Sequence, residues 1–144
     1  MLKPTFSQLD KLYNTNSKYI HKCNIQFANT SAIRMSEALA ATNIRFLNEF
    51  KKSTKNKCPH GHILDASDLA SILSQPHLLG VRTHNWKTQA NSNAPKDIMG
   101  KHGIICYINI PGHTGQSHID LWNKNTPVGD EFWDAEKIWF WALI

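Results

Sequence analysis

No stretch of this chain stays apolar for anything near the roughly 20 residues that a membrane-spanning helix needs. Its opening, Met1-Leu2-Lys3-Pro4-Thr5-Phe6, lacks the apolar core of a secretory signal, so the expectation is a soluble chain that leaves the cell only by another route. Cysteine is equally scarce. Cys23, Cys58 and Cys106 are too few for a disulfide scaffold, and one of them must stay unpaired within a monomer. Acidic residues are also few: 11 Asp and Glu against 16 Lys and Arg leave a net charge of +5. That balance favours anionic partners such as nucleic acid, an anionic cell wall or an acidic protein. Repeats and low-complexity arms are missing too, and residues 1–144 read as one domain able to bury a real core.

What the chain does have begins at Asn29-Thr30-Ser31-Ala32-Ile33-Arg34-Met35-Ser36-Glu37-Ala38-Leu39. Ala32, Met35, Leu39, Thr42, Phe46 and Phe50 recur at helical spacing and predict one buried helix running to about Phe50. Asn29, Thr30 and Ser31 each suit its N-cap. A side chain at that end feels the partial positive charge of the helix start and its unpaired N–H groups, which favour a thiolate or a developing oxyanion. Ser31 therefore has two readings, a cap or a nucleophile position.

Residues 6–13 carry apolar side chains at helical spacing and stop at a turn-forming cluster, a short helix. Residues 19–27 suit a strand or an extended approach to the Ser31 helix. A second helix is predicted after Asp65, a plausible N-cap, with Asp68 in its first turn. Cys58, His60 and His62 are zinc-type ligands, but no matching second pair is spaced nearby to complete a tetrahedral site, and no metal is expected. Residues 80–100 look irregular, with at most one short helix or strand, and Trp86 there could line a substrate groove or cover the core. The last third is β-rich: strands are predicted from Ile104 to Ile110, over residues 116–123 and over residues 137–144. The fold class is α+β, a small antiparallel sheet packed on N-terminal helices.

The chemistry concentrates in Gln116-Ser117-His118-Ile119-Asp120-Leu121-Trp122. Strand alternation puts His118, Asp120 and Trp122 on one face and Ile119 and Leu121 on the other. If the Ser31 helix packs on the first face, His118 can serve as base to position 31 while a carboxylate orients the imidazole.

The segment from Asn29 to Leu39 resembles the nucleophile segment of the type VI secretion amidase effectors of the family-4 group. Gly103-Ile104-Ile105-Cys106-Tyr107, followed by residues 115–123, resembles their histidine strand pair. The opening Phe6, Leu9, Leu12, Tyr13 and Asn14 is similar to their N-terminal motif, and Ile138-Trp139-Phe140-Trp141 to their closing strand. The resemblance implies a papain-like, NlpC-type fold without a cofactor. It also implies hydrolysis of the amide between γ-D-glutamate and meso-diaminopimelate in peptidoglycan stem peptides. The implied route runs from the producing cell's cytoplasm to a rival's periplasm, and an immunity protein is the implied partner.

Carried over residue by residue, the nucleophile falls on Ser31, the histidine on His118 and the third member on Asp130, with Asp120 as the alternative. Asp120 stands about 6–7 Å along the strand from His118, long for direct contact. Asn29, Trp86 and Trp122 are candidate substrate contacts. The departure lies at Ser31, where the family has cysteine. A hydroxyl is a far poorer nucleophile than a thiolate, so little or no hydrolysis is expected, whether the chain is a natural pseudo-enzyme or a cysteine enzyme silenced by exchange. The alternative from another class is a non-catalytic basic module for cell wall or nucleic acid, with Trp86 and Trp122 as stacking surfaces.

Overall fold

The computed structural model describes residues 2–13, 30–87, 93–112 and 116–144. The expected strand over residues 19–27, Cys23 and Asn29 lie outside them. Helices α1 (Phe6–Leu12), α2 (Ser31–Thr42), α3 (Ile44–Lys52) and α4 (Ala66–Leu73) precede strand β1 (His84–Lys87) and a single 3-10 turn, Lys96–Ile98. Strands β2 (Lys101–Ile108), β3 (His118–Lys124), β4 (Thr126–Pro127) and β5 (Lys137–Leu143) follow. They form one antiparallel sheet in the order β1-β5-β2-β3-β4. This is the expected α+β class. No helix among the described residues is long and apolar enough to cross a membrane.

Helix α1 starts on a capping box: the Gln8 N–H donates to Thr5 Oγ1 at 3.2 Å and the Thr5 N–H donates to Gln8 Oε1 at 3.1 Å. It is tied to the end of the chain by the Phe6 N–H, which donates to the Ile144 carbonyl. The single helix expected to run to Phe50 is two. Asn43, with φ −160° and ψ 123°, breaks it and caps α3 by accepting from the Arg45 N–H at 3.0 Å. Side-chain periodicity survives the break, so Leu39, Phe46 and Phe50 are all buried even though the backbone is not continuous.

The two faces of the sheet have different covers. Ile104, Cys106, Ile108, Ile119, Leu121, Trp141 and Leu143 share a core with Leu9 of α1, Met35 and Leu39 of α2 and Leu69 of α4. Ile105, Tyr107, Trp122, Ile138 and Phe140 share another with Ile98, Trp133 and Ala135 from loops. Being covered on both sides is why Ile104-Ile105-Cys106-Tyr107-Ile108 is continuously apolar rather than alternating. Gly103 sits where a Cβ would collide with the Trp141 carbonyl and the Phe140 ring, so this point of β2 excludes any larger residue. Truncating Leu121 to Ala in so closed a core costs about 2–5 kcal/mol.

The alternation expected in β3 is present, with Trp122 on one side and Ile119 and Leu121 on the other. The condition that α2 pack on the His118 face is not met. The helix's apolar stripe lies on the Ile119 and Leu121 face, because that is the face left apolar, and its first residue, Ser31, bonds to the backbone of β3. Beyond β3, the short β4 pairs with Trp122 and Asn123 alone. Upstream of them, the Ile119 backbone finds side chains instead: its N–H donates to Ser31 Oγ at 3.3 Å and its carbonyl accepts from the Tyr13 hydroxyl at 3.3 Å.

Candidate active site

Ser31 is the first helical residue of α2, and the N-cap is Thr30. Thr30 makes no side-chain cap bond, and the first turn carries no acidic residue. The positive end of the helix therefore faces the sheet without a side-chain oxygen from its own cap. Ser31 itself is buried, and its oxygen receives the Ile119 N–H. That bond places position 31 beside the residue that follows His118.

His118 keeps part of its side chain exposed, while its Nε2 is buried and has no hydrogen-bond partner among the described residues. Nε2 lies 3.6 Å from Asp120 Oδ2. The separation along the strand is closed by side-chain reach, so the backbone estimate of 6–7 Å overstated the gap between the functional groups. Apo sites commonly hold such pairs slightly long. Asp120 is fully buried. Its Oδ1 accepts from the Leu121 N–H at 2.8 Å and its Oδ2 from the Gly129 N–H at 2.6 Å, two charge-assisted bonds that fix the carboxylate. Asp130, the expected third member, is exposed on the loop that supplies that backbone donor.

Aromatic rings wall the imidazole. Tyr107, directly opposite His118 across the β2–β3 pair, lies nearly parallel to it at 6.1 Å between ring centres, and Phe132 meets it edge-on at 5.3 Å. Burial and the nearby Asp120 charge push the Tyr107 hydroxyl up from its ordinary range, so it stays protonated. Burial likewise raises Tyr13, with the Asp120 charge adding to the effect and Arg34 opposing it. None of Tyr107, Phe132 and Gly129 was singled out as a site residue from the sequence. Tyr107 had a signal, its place across from His118 in a predicted strand pair. Gly129 had none, because its contribution is a backbone atom.

The expected substrate tryptophans fall elsewhere. Trp122 is fully buried in the loop-covered core and its Nε1–H donates to the Ile98 and Lys124 carbonyls, so it is a core residue with no surface for a ligand. Trp86 is half-buried on β1, stacked on His84 at 5.1 Å, three strand positions from β3. That is roughly 14 Å across the sheet from His118. Cys58 is disulfide-bonded and offers no thiolate to a metal, and His62 Nδ1 lies 3.7 Å from its sulfur. Cys106 is free and buried, its thiol pushed up by desolvation, which makes it an inert core residue.

An antiparallel sheet backed by helices, with a helix start set against a strand that carries histidine and aspartate, defines the papain-like, NlpC-type class. Residues 27–141 match the family of type VI secretion system (T6SS) amidase effector protein 4, Tae4, and the chain belongs to that family of peptidoglycan amidases. Among solved structures, the effector Tae4 from Enterobacter cloacae is similar with a TM-score of 0.72 at 21% identity, over 99% of this chain and 98% of that one. The Tae4–Tai4 effector–immunity complex from Salmonella Typhimurium is similar with a TM-score of 0.72 at 21% identity, over 99% of each chain. At such identity these structures speak to the fold alone. No curated protein sequence matches the chain.

Proposed function

We propose that this chain is an antibacterial peptidoglycan amidase effector of the cysteine-type architecture, directed at the γ-D-glutamyl–meso-diaminopimelate bond of stem peptides. With Ser31 at the nucleophile position it hydrolyses that bond little or not at all. The reading is carried by one observation, the bond from the Ile119 N–H to Ser31 Oγ, which sets position 31 against the strand bearing His118 and Asp120.

In the Ser31→Cys form, His118 takes the thiol proton. Its Nε2 faces Asp120, which leaves Nδ1 as the nitrogen for position 31. The thiolate attacks the stem-peptide carbonyl, and N–H groups of the first turn of α2 stabilise the oxyanion; the C–N bond then breaks as the His118 imidazolium gives its proton to the departing diaminopimelate amine, and neutral His118 takes a proton from the water that hydrolyses the thioester and returns it to the thiolate. A hydroxyl at position 31 lacks the low pKa and intrinsic nucleophilicity that this sequence of steps requires. Asp120 is preferred to Asp130 as the orienting carboxylate because it is buried within 3.6 Å of Nε2, while Asp130 is exposed.

The structures of the Salmonella and Enterobacter relatives contain the immunity protein Tai4, and a cognate immunity protein that blocks the site is the corresponding partner here. Delivery by the type VI apparatus from the producer's cytoplasm to the recipient's periplasm follows from the same reading. The test is to incubate purified sacculi with the protein and with its Ser31→Cys variant. New amine termini should appear with the cysteine form alone, and a silent cysteine form rejects the catalytic assignment.

A further inference from the structure

The loop after β4 reaches the candidate site through a backbone group. Val128 N–H donates to the Leu121 carbonyl at 3.0 Å, which holds the loop on the edge of β3. The next N–H, that of Gly129, donates at 2.6 Å to Asp120 Oδ2, the oxygen that lies 3.6 Å from His118 Nε2. The carboxylate oxygen that takes the backbone donor is thus also the one that faces the imidazole. A Cβ on Gly129 would stand 3.0 Å from that oxygen, 3.7 Å from Asp120 Cγ and 3.8 Å from His118 Nε2. The first contact is tight enough that the carboxylate must give by a few tenths of an ångström. The carboxylate has little room to yield, because it is fully buried and its other oxygen is held by the Leu121 N–H.

We propose that Gly129 is a positioning residue for the His118–Asp120 pair: its N–H fixes Oδ2, and its missing Cβ keeps open the space in which Oδ2 and Nε2 approach. The proposal rests on the reading of His118 and Asp120 as the working pair. Among the described residues, ionisable groups near the pair include Tyr107 from β2, Tyr13 at the C-cap of α1, Arg34 from α2 and Glu131 from the same loop. Both tyrosines are held protonated, and a methyl group on Gly129 alters neither the Arg34 nor the Glu131 charge.

Gly129→Ala separates these roles from the loop's mere presence, since the loop stays anchored through Val128. In the Ser31 protein, which needs no turnover, the His118 ring resonances should move in Gly129→Ala, because Oδ2 is displaced from its place 3.6 Å from Nε2. In the Ser31→Cys background the same change should lower kcat on a soluble stem peptide by about 10- to 100-fold, with KM within about twofold. Val128→Ala, which trims an exposed side chain of the same loop and keeps its N–H, should change neither. Should Gly129→Ala fail to fold, the unsubstituted protein still decides: the Gly129 amide proton should lie downfield and exchange slowly with solvent, as a 2.6 Å bond to a buried carboxylate requires. A Gly129 amide that exchanges freely overturns the proposal, as do His118 ring resonances unmoved in folded Gly129→Ala. So does a loss from Asp130→Asn where Gly129→Ala is silent. A silent Ser31→Cys enzyme would reject the amidase reading while leaving both NMR measurements in force.

Discussion

Helices α2 and α4 begin in opposite ways. At α4, Asp65 turns its carboxylate onto the Asp68 N–H at 3.0 Å and also receives the Ser67 hydroxyl, while Asp68 adds a negative charge to the first turn. At α2, Thr30 supplies no cap bond, the first turn has no acid, and the oxygen of Ser31 is spent on Ile119 of a distant strand. The first arrangement neutralises the positive end of a helix in a way that stabilises the fold. The second leaves that end without a side-chain bond from its N-cap, forgoing a contribution that such caps usually make, about 1 kcal/mol. The difference separates a helix that only packs from one whose start can meet developing negative charge.

The sharpest way to break the comparison is chemical. Ser31→Cys should raise hydrolysis of stem peptides by at least about 10⁴-fold, the scale on which nucleophile losses are felt, and His118→Ala in that background should remove the gain. Amine release from sacculi reads both. Ser31→Ala tests the structural half of the same position. It strands the buried Ile119 N–H, and denaturant melts should show a loss of about 1–3 kcal/mol. The caps themselves come next: Asp65→Ala should cost about 1 kcal/mol, and Thr30→Ala only a few tenths. Equal costs for the two would dissolve the distinction between the helix starts.

The smallest effect concerns alkaline pH. Tyr13 and Tyr107 both have hydroxyls raised above the ordinary value of 10.0, and an acid raised in the fold favours the protonated folded form. That contribution is whole below the unfolded value and is lost as pH rises above about 10. Urea melts from pH 8 to 11 should therefore show stability falling above pH 10, with a shallower fall in Tyr107→Phe. An unchanged slope in that variant would show that the Tyr107 hydroxyl ionises as freely folded as unfolded.

Local pattern made a good part of this molecule legible. Alternation in residues 118–122 assigned the two faces of β3 correctly, Asp65 and Asp68 marked the start of α4, and the strands of the last third fell within a few residues of their positions. Each depends on residues a few steps apart, where backbone geometry leaves few choices. The break at Asn43 was also local, yet the apolar stripe passes over it unchanged, so periodicity alone read one helix where there are two.

The site was less legible, because its decisive relations cross the chain. Trp122 reads as a surface aromatic in a strand with His and Asp, until loops bearing Ile98 and Trp133 close over it. Asp120 and Asp130 are equally acidic on paper. Only the folded edge of β3 buries the first within 3.6 Å of His118 and leaves the second exposed.

By itself the sequence determined the α+β class and the faces of β3, since these follow from spacing and residue type. Tertiary structure alone decided that α2 lies on the far face and touches β3 through Ser31, that Tyr13 closes the carbonyl of Ile119, and that the loop acts through the Gly129 N–H. The physical reason is common to all three. A hydrogen bond between groups remote in sequence depends on positions set to within a few tenths of an ångström by packing of the whole core, and the backbone N–H is carried by every residue except proline.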